Sequence, residues 1–111
     1  MPLQGLTDAS LYPSLEAAGG PVVVAFGTPG CGGCRRLRAL LPALGEAVTG
    51  VDLAYAEAER CPGILADLEA FHLPAIWLFV DGDPWAPIQA PLRVAALTEA
   101  IAAALAGPPV D

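Results

Sequence analysis

The chain contains no lysine, so its five cations are all arginines. Twelve acidic residues oppose them and give a net charge of −7 at pH 7 over 111 residues. A protein of this charge repels phosphate backbones and has no basic stripe along which a nucleic acid could lie. We therefore expect no nucleic-acid partner.

Long hydrophobic runs are also absent. The longest apolar stretches, such as Ala75–Val80, fall far short of the ~20 residues that a membrane span requires, so we expect no membrane partner. The first cation is Arg35, which leaves the N-terminus without the basic segment of a secretory leader and predicts a cytoplasmic protein. The length suits one domain and is too short for two.

The apolar pattern alternates between helix and strand spacing along the whole chain. This alternation predicts an α/β domain with helices on both faces of a mixed sheet. The first two predicted helices cover residues 7–18 and the segment from the cysteines to Gly50. A third, short helix begins at Pro62, with Leu65, Leu68 and Phe71 behind it, and the last covers residues 92–106 with Leu97, Ile101 and Leu105 on one face. The predicted strands cover residues 22–26, 51–57 and 75–80, and an edge strand at 86–89 follows the turn DGDP.

Two of the three cysteines stand three residues apart, as Cys31-Gly32-Gly33-Cys34, directly after the first predicted strand. Side chains at i and i+3 of a helical turn project to the same side, which suits a disulfide that opens and closes. The N–H groups and dipole at a helix N-terminus favour a thiolate, so we predict that Cys31 is the nucleophile. Cys34, one turn further in and more buried, would then resolve the mixed disulfide.

The same cysteines allow a second hypothesis, in which the pair holds a metal. Cys61 and His72 would complete a set of ligands suited to zinc. Structural zinc sites combine two tight ligand pairs, however, whereas Cys61 and His72 are separated by a predicted helix, so we expect no metal. The alternative to a redox protein is therefore a binding or metal-holding module with little redox activity.

From GLTDAS to the last predicted helix, the chain resembles thioredoxin. The resemblance rests on the strand VVVAF before C-G-x-C, on Pro62-Gly63 and on LPAIWLF, which all stand in thioredoxin order. It implies the α/β thioredoxin fold in a single domain over residues 1–111, with an extra first strand at residues 2–6. It also implies that Pro74 is a cis-proline facing the cysteines and that Leu73 offers backbone groups to a substrate strand.

Around the cysteines, the chain departs from the thioredoxin pattern. The family's buried aspartate and its accompanying lysine are replaced by Ala25 and Tyr55, so the usual proton relay is absent. Gly27 and Gly30 take the places of two tryptophans that flank the family's site. We expect Gly30 to contact the substrate together with Leu73 and Pro74.

The missing relay leaves open what accepts the proton of Cys34 when that thiol attacks. The candidates are Glu57, His72 near the expected cis-proline, and water entering through the gap left by the two glycines; we favour water.

Three further residues are possible modulators of the cysteine pair. Arg35 follows Cys34 where thioredoxins commonly carry a lysine, and it would lower the pKa of Cys31. His72 should lie near the cysteines if the resemblance holds. Cys61 precedes Pro62 at the start of a predicted helix, where we expect its thiol to meet the helix N-terminus.

The resemblance implies a thiol–disulfide oxidoreductase that acts on protein disulfides without a bound cofactor. Its partners would be disulfide-containing client proteins and an electron donor of the thioredoxin-reductase type. Glutaredoxin is a poorer match, because no glycine pair follows the strand LPAIWLF. Glutathione is therefore not an implied ligand.

Overall fold

The computed structural model describes residues 6–110. Its strands are β1 Pro21–Gly27, β2 Asp52–Glu57, β3 Ala75–Val80 and β4 Asp83–Pro87. They form one sheet in the order β2-β1-β3-β4, in which β1 pairs in parallel with β2 and antiparallel with β3. The mixed sheet predicted from the sequence is confirmed. The strand expected at residues 2–6 lies outside the described residues, apart from Leu6, which belongs to no strand.

The helices are α1 Leu11–Ala18, α2 Gly32–Ala47, α3 Pro62–Asp67 and α4 Val94–Ala106, and a short 3-10 turn covers Ala58–Arg60. Among the helices described between residues 6 and 110, none has the length and apolarity needed to cross a membrane. α2 continues through Pro42 and ends three residues before Gly50, the end predicted for it. Gly50 instead forms the turn before β2, with a φ of 76°.

Helices cover both faces of the sheet, which explains why the middle of β1 is wholly apolar. Successive strand residues point to opposite faces, so neighbours in β1 belong to different halves of the core. On the first face, α1 and α3 contribute Leu11, Leu15 and Ile64, which cluster with Val22, Val24 and Phe26. On the second face, α2 and α4 contribute Leu37, Leu44, Leu97 and Ile101, which cluster with Val23, Ala25 and Leu78.

The last strand begins earlier than the sequence pattern indicated. The hairpin is confirmed, but β4 covers Asp83–Pro87 rather than residues 86–89. The connection consists of only Asp81 and Gly82, both with positive φ (51° and 86°), as expected for a two-residue hairpin turn. A turn this short returns the chain to the sheet at Asp83.

Two apolar residues that the sequence pattern assigned to helices are exposed. Phe71 is 76% exposed, because α3 ends at Asp67, before its helical spacing can reach that residue. Leu105 is 38% exposed, because it lies in the last turn of α4, beyond Ile101, the last residue that this helix buries.

Candidate active site

The cysteine motif lies where β1 ends and α2 begins. The segment Thr28-Pro29-Gly30 turns the chain out of the sheet, and the Cys31 N–H donates to the Thr28 carbonyl oxygen (3.3 Å). Cys31 then forms the N-cap of α2 with extended backbone angles. Because β1 is central, the motif stands over the middle of the sheet rather than at an edge.

Cys31 is held in an environment that favours its thiolate. Its Sγ accepts a hydrogen bond from the Cys34 backbone N–H (3.2 Å). Hydrogen bonds from the Cys34 side chain and backbone, and one from the Gly33 N–H, lower the pKa of Cys31, and the charge of Arg35 lowers it further. The side chain is only partly buried, so a substrate can reach it. These features are those of a nucleophilic cysteine.

Cys34 has the opposite environment, although it belongs to the same helical turn. It is fully buried, and burial, together with the hydrogen bond to Cys31, raises its pKa. Both thiols are free in this structure. The pair therefore combines an accessible thiol that ionises readily with a buried thiol that ionises reluctantly.

A cis peptide bond between Leu73 and Pro74 faces the cysteines, as the resemblance implied. The Cys31 thiol donates to the Leu73 carbonyl oxygen (3.8 Å), and Pro74 lies against Gly33, where an added Cβ would be 3.1 Å from the proline Cδ. Gly30 is exposed, and a Cβ added there would meet open space. The residues predicted to contact substrate thus lie on or beside the rim of the motif.

His72 does not join the cysteine pair. Its side chain is exposed, and in the described residues no hydrogen bond connects it to Cys31 or Cys34. It lines a groove between the end of α3 and the β3–β4 hairpin, together with Phe71 and Trp77. The structure therefore gives no support to His72 as the acceptor of the Cys34 proton.

Cys61 lies on the opposite face of the sheet, in the core cluster under α1 and α3. It is fully buried, its Sγ donates to the Leu6 carbonyl oxygen (3.6 Å), and burial raises its pKa, with a further contribution from Asp8. Cys61 is the N-cap residue of α3, at the helix start as predicted, but its thiol makes no capping hydrogen bond. An inaccessible thiol with a raised pKa is poorly suited to oxidative regulation.

The N-terminus of α3 is instead bound by Asp8. The two carboxylate oxygens of Asp8 accept hydrogen bonds from the backbone N–H groups of Gly63 and Ile64, each at 2.9 Å. Asp8 stands 55 residues away in sequence, so no local pattern could identify it as the cap. This contact links the segment before α1 to the start of α3, next to Cys61.

The four residues considered as zinc ligands are not gathered into a site. Cys61 packs on the first face of the sheet. Cys34 lies in the first turn of α2, against Gly27, and His72 faces solvent. Across residues 6–110, no group of three or more histidine, cysteine, aspartate or glutamate side chains could hold a metal ion. The side chains present therefore do not fit the metal-holding hypothesis.

Tyr55 is a site residue that sequence reasoning noted only as a replacement for lysine. Its position pairs with Ala25 across the parallel strands, and the Arg38 guanidinium lies 4.9 Å from the centre of its ring. Burial, followed by the charges of Cys34 and Glu57, raises the pKa of Tyr55. The sequence did carry a signal for Tyr55. This polar aromatic residue replaces the family's lysine, and Ala25, with which it pairs, replaces the family's aspartate.

A cysteine pair in the first turn of a helix, facing a cis-proline at the head of a central strand, is a thioredoxin-like site of redox type. A model of the thioredoxin family matches residues 3–103, and the chain belongs to that family. Among solved structures, the first two thioredoxin domains of Naumovozyma dairenensis Eps1p align with a TM-score of 0.69 and 14% identity, over 84% of this chain and 37% of the other. This likeness concerns the fold alone. A search of curated proteins found no match.

Proposed function

We propose that this protein is a thiol–disulfide oxidoreductase that reduces disulfides of client proteins through Cys31 and Cys34. The observation that carries the proposal is the contrast within the pair: an accessible Cys31 with a lowered pKa and a buried Cys34 with a raised one. Such a difference suits a nucleophile that attacks first and a second thiol that stays protonated until it is needed.

The proposed reaction proceeds by two exchanges of sulfur partners. The Cys31 thiolate attacks a client disulfide, so that a Cys31–client disulfide forms and one client thiolate leaves. Cys34 then loses its proton and attacks the Cys31 sulfur, which forms the Cys31–Cys34 disulfide and releases the second client thiolate. Two electrons pass from the dithiol to the client, and no bound cofactor takes part.

The rim around Cys31 supports a client that binds as an extended segment. The Leu73 backbone lies beside the nucleophile, and its carbonyl oxygen is within reach of the Cys31 thiol. Backbone groups at such a position can pair with a substrate strand, with little demand on its side chains. Regeneration of the dithiol requires an electron donor, which we propose is of the thioredoxin-reductase type, in a reducing compartment such as the cytoplasm.

The direct test is the reduction of insulin disulfides, with dithiothreitol as the final electron donor. Wild type should accelerate insulin precipitation, Cys31→Ser should not, and Cys34→Ser should accumulate covalent Cys31–insulin adducts. Cys61→Ser is the matched control, because its thiol is buried on the opposite face of the sheet and should not contribute. A wild-type protein that neither accelerates precipitation nor forms adducts would contradict the proposal and favour a binding module.

A further inference from the structure

The Tyr55 hydroxyl and the Cys34 thiol share one space above β1. That space exists because Gly27 has no side chain: a Cβ there would lie 2.6 Å from the Tyr55 hydroxyl oxygen and 2.9 Å from the Cys34 Sγ. Since both atoms lie close to the same point, they are neighbours, although no hydrogen bond joins them among the described residues. Ala25, which pairs with Tyr55 across the strands, is also small and leaves room for the ring on this face.

Glu57 lies on the same side of the sheet, two residues after Tyr55 on β2. It pairs with Gly27, the residue over which the hydroxyl and the thiol meet. Its Oε2 is buried and has no hydrogen-bond partner among residues 6–110. A carboxylate oxygen can only accept, and burying it without a donor is costly, so its position calls for a functional explanation.

Resolution of the mixed disulfide requires a proton acceptor near Cys34, because burial raises the pKa of that thiol. The titratable groups at this site are Cys31, which is hydrogen-bonded to Cys34, and Tyr55 from β2, with Glu57 and Arg38 beside Tyr55. β1 and β3 consist entirely of residues that do not titrate. Cys31 is consumed in the disulfide at this step and Arg38 is a cation, so the two β2 residues are the protein groups that remain. Water, the acceptor favoured from the sequence, is the alternative, but the space at Gly27 through which it was expected to enter is taken by the Tyr55 hydroxyl and the Cys34 thiol.

We propose that the Tyr55 hydroxyl takes the proton of Cys34 and passes its own proton to the Glu57 carboxylate. This inference rests on the proposed function, since it concerns the second exchange of that reaction. As the S–H bond of Cys34 breaks, the Cys34–Cys31 bond forms and the Cys31–client bond breaks, and the client thiolate leaves with the electron pair. The proton resides on Glu57 and returns to the departing thiolate or to solvent.

Arg38 stabilises the arrangement that this transfer needs. Its guanidinium lies over the Tyr55 ring, a cation–π contact that helps to hold the ring in place, and its charge opposes the rise in the pKa of Tyr55. Tyr55 and Glu57 on β2 thus take the role of the family's buried aspartate, whose place on β1 is held by Ala25 in this chain.

The test separates the two exchanges by rapid mixing of the reduced protein with an aromatic disulfide that releases a coloured thiolate at each step. The first release depends on reagent concentration, and the second, the attack by Cys34, does not. Tyr55→Phe and Glu57→Gln should each slow the second release about tenfold at neutral pH and leave the first unchanged. The matched controls, Tyr12→Phe on α1 and the exposed Glu59→Gln, should leave both unchanged.

The pH profile distinguishes proton transfer from packing. Between about pH 6 and pH 9, the deficit of both variants should shrink as direct ionisation of Cys34 replaces the carrier. A second release that equals wild type in both variants, or that is slowed equally at every pH, would overturn the inference. Absence of the first release in wild type would instead refute the proposed function, and this inference with it.

Discussion

The substitution Gly27→Ala tests whether the Cys34 thiol and the Tyr55 hydroxyl occupy the space above β1. The added Cβ would lie 2.6 Å from the Tyr55 hydroxyl oxygen and 2.9 Å from both the Cβ and the Sγ of Cys34. The hydroxyl and the sulfur can turn aside, but the Cys34 Cβ is fixed by the backbone of α2. Since carbon atoms pack at about 3.5–4.0 Å, the first turn of α2 must move by roughly 0.5–1 Å.

The expected cost is that of overpacking a core, about 1–3 kcal/mol in the free energy of unfolding. A loss of about 2 kcal/mol lowers the Tm of a domain of this size by roughly 9 °C. Thermal unfolding followed by circular dichroism measures this change. The second thiolate release described above should also slow, because Cys34 is displaced from both Cys31 and Tyr55.

Gly45→Ala is the matched control, because it makes the same chemical change in the interior of α2. Its new Cβ would lie 3.5 Å from the nearest heavy atom, the Leu53 Cδ1, which is ordinary contact. Alanine is the better helix former, so this variant should gain up to ~1 kcal/mol. If Gly27→Ala instead kept the wild-type Tm and resolution rate, the hydroxyl and the thiol could not be neighbours over that glycine.

Three further outcomes follow from the environments of individual side chains. Iodoacetamide should label Cys31 before Cys34, with an apparent pKa below that of a free thiol; a first label on Cys34, located by mass spectrometry, would reverse the assigned roles. Burial raises the pKa of Cys61, so the unfolded chain loses that proton first, and the free energy of unfolding should fall above about pH 8.5. Urea denaturation should show a weaker decline for Cys61→Ser, and an equal decline would argue against the raised pKa. Asp8→Ala removes the cap of α3 and should cost about 1 kcal/mol, whereas Asp67→Ala at the other end of that helix should not; equal effects would contradict the capping role.

The sheet and the cysteine motif could be predicted because local patterns determine them. The apolar run of β1 indicates a strand covered on both faces, and the spacing of Cys31 and Cys34 implies one helical turn wherever that helix lies. The start of β4 was less predictable, because two residues with positive φ, rather than the four-residue segment DGDP, make the turn.

The contacts around Cys34 depend on how distant strands align, which the sequence alone does not show. The parallel register pairs Ala25 with Tyr55 and Gly27 with Glu57, and only this alignment carries the Tyr55 hydroxyl to the thiol. The capping of α3 by Asp8 likewise joins residues 55 positions apart. Such contacts follow from tertiary packing, so the helix that begins at Pro62 could be predicted while its cap could not.

The proposed function depends most on whether Cys31 and Cys34 form a reversible redox pair. Equilibration of the protein in glutathione buffers of graded potential, extended to lower potentials with dithiothreitol, followed by alkylation and mass spectrometry, measures this directly. We predict a two-electron transition that joins these two residues, with a midpoint within the range of about −270 to −120 mV spanned by catalytic dithiols. A pair that stayed reduced throughout that range, or a disulfide that formed between Cys61 and either of them, would contradict the account.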